Sequence, residues 1–192
     1  MPDLKAIAKE HMADYKEIFE LPYDSFEEII IKGAAVGFAD VPLCEKEPYI
    51  IRYAEMIDNW AECDCFCSCI KVKKSEADDL LRLAEGLMYR KEEFVSRVGT
   101  VLMFSKFSDE PTVRKALTIY DRLPSGEYYR DMAVAWGISV YCVRYPQLIV
   151  KYLEHSPISI AVKLAAAQKI RDSRRISDEV KRRVTDTVNA QR

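Results

Sequence analysis

The spacing of apolar residues constrains this fold most, because it is helical along almost the whole chain. Amphipathic stretches end at breaks such as Pro42, Pro124-Ser125-Gly126 and Ser156-Pro157. Only 6 glycines occur in 192 residues, which leaves little material for a turn-rich β fold. The pattern therefore predicts an all-α protein, organised as a single domain over residues 1–192.

The predicted helices group into consecutive pairs. A first amphipathic stretch begins at Leu4 behind a possible Asp3 cap and stops before Pro22, and a second follows the capping-box spacing of residues 25–28 and runs to Phe38. The pairs then follow: 48–57 with 59–71, Ser75–Tyr89 with Lys91–Phe107, Pro111–Leu123 with Glu127–Tyr145, Pro146–His155 with Ser159–Asp172, and a terminal Ser177–Ala190.

The second helices of the first three pairs begin near residues 59, 91 and 127, at intervals close to the ~40-residue period of HEAT-type helix pairs. Antiparallel pairs of this kind stack into a right-handed superhelical solenoid with a concave side. A plain bundle of helical hairpins would give the same pattern. The spacing alone does not separate the two architectures.

Charge is distributed unevenly. Residues 1–62 carry 6 Lys/Arg and 14 Asp/Glu, whereas residues 151–192 carry 10 and 5. A polyanion would therefore meet the C-terminal half first. Charged helix surfaces are ordinary in soluble proteins, however, and the sequence pI of about 5.8 is below the ~9 expected of an avid nucleic-acid binder.

Three segments contain aromatic or charged residues that a simple amphipathic helix pattern does not explain. Trp60 and Asp64 are four residues apart, so on a helix they share a face, and an indole beside a carboxylate suits a cationic ligand. Arg97 lies in the strongly apolar run FVSRVGTVLMF, and Trp136 lies in MAVAWG. All four fall on second helices of consecutive pairs and could line one groove. The alternative is that both tryptophans are core residues and Arg97 pairs with a neighbouring acid.

Taken in order, NWxxxD at residues 59–64, the Arg97 helix and YYRDMAVAWGISVYCVRYP at residues 128–146 resemble the AlkD-type DNA alkylation repair family. The closing segment LAAAQKIRDSRRISDEVK is similar to the same family's closing segment, and the resemblance runs from about residue 48 to the C-terminus. Within the first motif, this chain has Ala-Glu-Cys where the family often has Asp-x-Val. Glu62, on another face, is expected to be a solvated charge.

The resemblance implies a HEAT-like DNA glycosylase that removes cationic N3- and N7-alkylpurines from duplex DNA without extruding the base. It assigns the catalytic carboxylate to Asp64, its indole neighbour to Trp60 and the second indole of the groove to Trp136. It assigns a backbone phosphate contact to Arg97 and implies no cofactor or metal. The basic residues that we expect to meet DNA phosphates are Lys106, Arg130, Lys169 and Arg171, with Lys71, Lys73, Lys74, Arg174 and Arg175 as further candidates.

Two other functions stay open from the sequence. A homologue of the same fold could bind DNA structure without catalysis, and helical repeats also serve as protein-interaction scaffolds. The expected partner is double-stranded DNA with alkylated bases, with no membrane and no obligate protein partner. We expect a cytoplasmic location, because no apolar run approaches the ~20 residues of a membrane helix and the N-terminus lacks a signal peptide's apolar region.

The crowded cysteines are expected to be reduced thiols packed between helices. Cys63 and Cys67, and likewise Cys65 and Cys69, form i,i+4 pairs on roughly opposite helix faces, so the four thiols could not converge on one zinc ion. Near neighbours on one helix also cannot join distant parts of a chain by disulfide bonds.

Overall fold

A computed structural model describes residues 2–192, and the all-α prediction is confirmed. The described chain forms twelve α-helices and no β-strand. The helices are α1 Pro2–Glu10, α2 Tyr15–Glu20, α3 Phe26–Phe38, α4 Leu43–Met56, α5 Trp60–Cys69, α6 Ala77–Met88, α7 Glu93–Lys106, α8 Glu110–Tyr120, α9 Tyr128–Arg144, α10 Pro146–His155, α11 Ile160–Asp172 and α12 Asp178–Asn189. None of the helices within residues 2–192 combines the length and hydrophobicity needed to cross a bilayer.

Side-chain caps fix several helix starts where the sequence predicts them. Ser25 Oγ accepts a hydrogen bond from Glu28 N at 3.3 Å, and Glu28 Oε2 accepts one from Ser25 N at 3.0 Å, which completes the expected capping box. Ser159 and Ser177 cap α11 and α12 by accepting bonds from the third residue of each helix. These local bonds satisfy N–H groups that a helix start leaves without backbone partners.

Two sequence predictions about helix bounds are wrong. The first amphipathic stretch is divided into α1, a 3₁₀ turn at Met12–Asp14 and α2. Helix α4 begins at Leu43, whereas the sequence predicted a helix over residues 48–57, so Pro48 lies inside the helix and not at its start. Its first turn is held from outside, because Glu76 Oε1 accepts a bond from Leu43 N at 2.7 Å. That contact offsets part of the cost of a proline inside the helix.

The described residues form two compact units, the first ending at Ser105 and the second comprising Lys106–Arg192. In unit 1, α3 is the central helix and packs against α1, α2, α4 and α5. It can be approached closely because Gly33 faces the Tyr53 ring and Gly37 faces the backbone at Cys69 and Ile70. In unit 2, α9 packs against α8, α10 and α11, and α12 closes against α10 and α11. The single-domain organisation of residues 1–192 stays a prediction.

Three lysines are buried, and two of them, Lys32 and Lys46, hydrogen-bond to backbone carbonyls at helix ends. Lys32 Nζ donates to the carbonyls of Ile18, Phe19 and Leu21 at the end of α2. In unit 2, Lys163 Nζ donates to Gln191 Oε1 at 2.6 Å, and Gln191 Nε2 donates to Leu153 O at 3.0 Å. In unit 1, Lys46 Nζ donates to Ala39 O, directly after α3, and to Lys71 O, just after α5. Because the C-terminal end of a helix carries partial negative charge, a cation is stabilised there.

Candidate functional site

The N-terminal end of α5 positions two of the predicted site residues. Asn59 is the N-cap, and its Oδ1 accepts hydrogen bonds from Ala61 N and Glu62 N, both at 3.1 Å. Trp60 is therefore the first helical residue, and its side chain is 57% exposed. Asp64 follows one turn later on the same side of the helix. An exposed indole so early in a helix is not part of the core.

Asp64 contacts the guanidinium of Arg97. The Arg97 Nη2 atom lies 2.8 Å from Asp64 Oδ1 and 3.1 Å from Oδ2. The Arg97 side chain is only 6% exposed, whereas Asp64 keeps 22%. This ion pair joins α5 to α7 and matches the alternative that Arg97 pairs with a neighbouring acid. The carboxylate thus has a fixed position and a solvent-accessible edge.

Close packing of α7 against α6 sets the position of Arg97. Ser96 Oγ donates to Met88 O at 2.7 Å, and Gly99 lies so near α6 that a Cβ atom there would meet Met88 N at 2.5 Å. Helix α7 also contacts α5, where Cys67 Sγ lies 3.7 Å from Val98 O. Arg97 is therefore held between two helices that approach it from either side.

Glu62 is a residue that the sequence interpretation placed wrongly. It is 4% exposed rather than solvated, and burial is the main reason why its pKa lies above the ordinary value of 4.5. Its Oε2 accepts a weak hydrogen bond from Asp58 N at 3.4 Å, just before the Asn59 cap. The signal was present, because Asn59 and Glu62 have the N-cap to N3 spacing of a capping box. Glu62 thus contributes to the turn that leads into Trp60.

Five of the other predicted site residues belong to unit 2. Trp136 is half-buried in α9, and Arg130, at the start of the same helix, is 3% exposed with no hydrogen bond from its Nε to another described residue. Lys106 and Lys169 are half-buried, and Arg171 is exposed and hydrogen-bonds to Gln168. The structure therefore brings Trp60, Asp64 and Arg97 into one unit. Their convergence with Trp136 stays a prediction.

The cysteine prediction is confirmed for the four thiols of α5. Cys63, Cys65, Cys67 and Cys69 are all buried, and their side chains are thiols. Outside α5, Cys142 is also buried and Cys44 is exposed. Within residues 2–192, no group of three or more His, Cys, Asp or Glu side chains is arranged to hold a metal ion.

Comparison with known proteins adds no relative to these observations. No family model, no curated protein and no solved structure matches the chain. What the site offers chemically is a fixed carboxylate, an exposed indole one turn away and a buried guanidinium, all in unit 1.

Proposed function

We propose that this protein is a DNA repair glycosylase that removes cationic N3- or N7-alkylpurines from duplex DNA, built as a right-handed HEAT-like solenoid. The observation that carries the proposal is the Asp64 carboxylate, fixed by Arg97 at 2.8 Å and lying one helical turn from a largely exposed Trp60. It fits the resemblance of residues 59–64 to the AlkD-type motif. We propose a cytoplasmic location and alkylated duplex DNA as the partner.

In the proposed reaction, the alkylated base is already a good leaving group. Alkylation at N3 or N7 makes the purine cationic, so it can depart without being protonated. The barrier lies in the positive charge that develops on the deoxyribose as the glycosidic bond breaks. Asp64 would stabilise that charge and position the attacking water, and both effects are larger in the transition state than in the ground state. The face of Trp60 would add a cation–π contribution of about 0.5–2 kcal/mol.

Arg97 has two possible anionic partners in this proposal. Without DNA, its guanidinium neutralises Asp64. Only 6% of the Arg97 side chain is exposed, and a DNA phosphate that reached this edge would compete with Asp64 for the guanidinium. The carboxylate would then be less neutralised, so that binding to the backbone would increase the charge available to the sugar. Trp136 would supply the second indole of the groove. The further phosphate contacts proposed are Lys106, Arg130, Lys169 and Arg171, of which Arg130 is the least accessible.

The test is release of methylated purines from alkylated duplex DNA by wild type, Asp64→Asn and a matched control, Asp78→Asn. Asp78 is a carboxylate in the first turn of α6, so its loss removes a charge away from the proposed site. We expect wild type and Asp78→Asn to release base at similar rates. Asp64→Asn should release at least about a hundredfold less, as expected for loss of a group that stabilises developing charge. Equal release by Asp64→Asn and wild type would remove the proposed role of Asp64.

One observation favours a second candidate, a DNA-binding protein without catalysis. In the ion pair with Arg97, the negative charge of Asp64 is largely neutralised, which suits a structural role better than stabilisation of a cation. Such a protein would bind duplex DNA with an affinity that falls steeply with salt and would release no base. The same reactions, run with a binding assay at two salt concentrations, separate this candidate from the enzyme and from a protein-interaction scaffold.

A further inference from the structure

A cavity of about 330 Å³ lies at the end of α5 opposite to Trp60. Its walls come from the end of α3, from the first turns of α4 and from the segment that follows α5. Helix α5 has 10 residues, Trp60–Cys69, so the cavity lies about 14 Å along the helix axis from the indole. The volume is at the lower end of the range for small-molecule sites, about 300–1,000 Å³.

The buried wall of the cavity carries a charged group. Lys46 is 1% exposed, yet its side chain lines the cavity. Its Nζ donates to Ala39 O at 2.9 Å and to Lys71 O. An ammonium group has three N–H donors, so one is left after these two bonds. Burial lowers the pKa of Lys46, and the nearby carboxylates of Glu76 and Asp40 act in the opposite direction.

Two exposed lysines stand at the rim. Lys71 and Lys73 line the same cavity, and neither forms an ion pair with another residue in the described part of the chain. The Lys71 ammonium lies 5.3 Å from the centre of the Phe38 ring, also in the wall. The lining carries three lysines and one carboxylate, Asp40, and a second carboxylate, Glu76, interacts with Lys46 and Lys73 from outside the lining. The three ammonium groups therefore outnumber the nearby carboxylates by one.

The helix ends nearby do not cancel this charge. C-terminal carbonyls carry partial negative charge and would repel an anion. Here the Ala39 and Lys71 carbonyls already accept bonds from Lys46, and Gly37 O accepts one from Lys71 N at 3.0 Å. These carbonyls are therefore already paired, and the neighbours of the rim ammonium groups are the Phe38 ring for Lys71 and the Glu76 carboxylate for Lys73.

We propose that this cavity binds a phosphate group, held by Lys46 from below and by Lys71 and Lys73 from the rim. Ammonium groups bind phosphate oxygens as point charges without the planar geometry that arginine imposes, which suits a small anion in a recess. The phosphate could come from a phosphorylated small molecule or from a nucleic-acid backbone. The proposal does not rest on glycosylase activity, because it uses none of the residues near Asp64.

Calorimetric titration of the full chain with inorganic pyrophosphate tests the proposal. Lys71→Ala/Lys73→Ala should weaken pyrophosphate binding by at least about tenfold, since two charges within a few ångströms of the anion are lost. Asp40→Asn should tighten it by about twofold or more for the same reason. The matched control, Lys91→Ala/Arg182→Ala, removes two exposed cations elsewhere and should change the affinity by less than about twofold.

Competition identifies the source of the phosphate. Displacement of pyrophosphate by a nucleoside monophosphate but not by duplex DNA assigns the cavity to a small molecule. Displacement by the duplex, lost in Lys71→Ala/Lys73→Ala, assigns it to a backbone phosphate. The proposal is overturned if wild type does not bind pyrophosphate, or if the control pair weakens binding as much as the rim pair. All these variants alter exposed side chains, so the folded fraction can be checked by circular dichroism in each.

Discussion

Gly99→Ala should destabilise the protein although alanine is the better helix former. In α7, a Cβ atom at this position would lie 2.5 Å from Met88 N, 2.6 Å from Ala84 O and 2.8 Å from Leu87 Cβ. Two of these three atoms belong to the α6 backbone, which cannot rotate away as a side chain can. Overpacking of this kind costs about 1–3 kcal/mol, and we expect the upper half of that range. The gain in helix propensity offsets about 1 kcal/mol.

Gly86→Ala is the matched control in the neighbouring helix. Gly86 lies within α6, is exposed, and has no neighbouring atom within 4 Å of the place that a Cβ methyl group would occupy. The same substitution should therefore stabilise the protein by about 0.5–1 kcal/mol, because only the backbone entropy and propensity effects remain. The two variants together separate helix propensity from the close approach of α6 and α7.

Urea unfolding followed by circular dichroism measures the difference. We expect about 2–3 kcal/mol between the two variants, which is a difference in midpoint of about 1–1.5 M for a slope of about 2 kcal/mol/M. Because Arg97 is two residues from Gly99, the destabilised variant should also hold its guanidinium less firmly on Asp64. A Gly99→Ala protein as stable as Gly86→Ala would refute the claim that glycine is required for the α6–α7 contact.

Three other predictions concern the site. Asn59→Ala should lose about 1 kcal/mol of unfolding free energy, because Ala61 N and Glu62 N lose their shared acceptor, whereas Asn59→Asp should keep most of it. Because the pKa of Glu62 is raised in the folded protein, the stability that this group contributes is fully present below its pKa in the unfolded chain and is lost as the pH rises through its pKa in the folded protein. Glu62→Gln should therefore become more stable relative to wild type as the pH rises from 5 to 8. A difference in unfolding free energy between the two proteins that does not change with pH would argue against burial of the charge. Arg97→Met should cost about 2–4 kcal/mol in urea unfolding, and Asp64→Leu/Arg97→Met should cost less than the sum of the single changes; additivity would mean that the pair is not coupled.

Features set by local chemistry could be predicted from the sequence. The capping box at Ser25 and the serine caps at Ser159 and Ser177 each involve residues three apart, and the helices after them begin where expected. The bounds of α10 also agree with the sequence prediction, residue for residue. Apolar periodicity and capping together are therefore enough to establish the all-α class.

Features set by residues far apart in the chain could not be predicted from the sequence. The start of α4 is held by Glu76, 33 positions from Leu43, whereas the local pattern placed the start of this helix at residue 48. Similarly, the sequence singled out Asp64 and Arg97 but not their contact, which spans 33 positions. The charge of Glu62 also led to a wrong prediction of its exposure, because its tertiary surroundings bury this polar side chain. Such contacts depend on how helices pack, which residue spacing does not specify.

The amines of the buried lysines can report how often the helices around them separate. Lys32 is 3% exposed in unit 1, and Lys163 is 5% exposed in unit 2, so an amine-reactive reagent can reach them only when the surrounding helices separate. The labelling rate of each amine then measures the frequency of local opening at that place. Equal rates at the two amines would mean that the two units open equally often, whereas a faster rate at Lys163 would mean that unit 2 opens more often than unit 1.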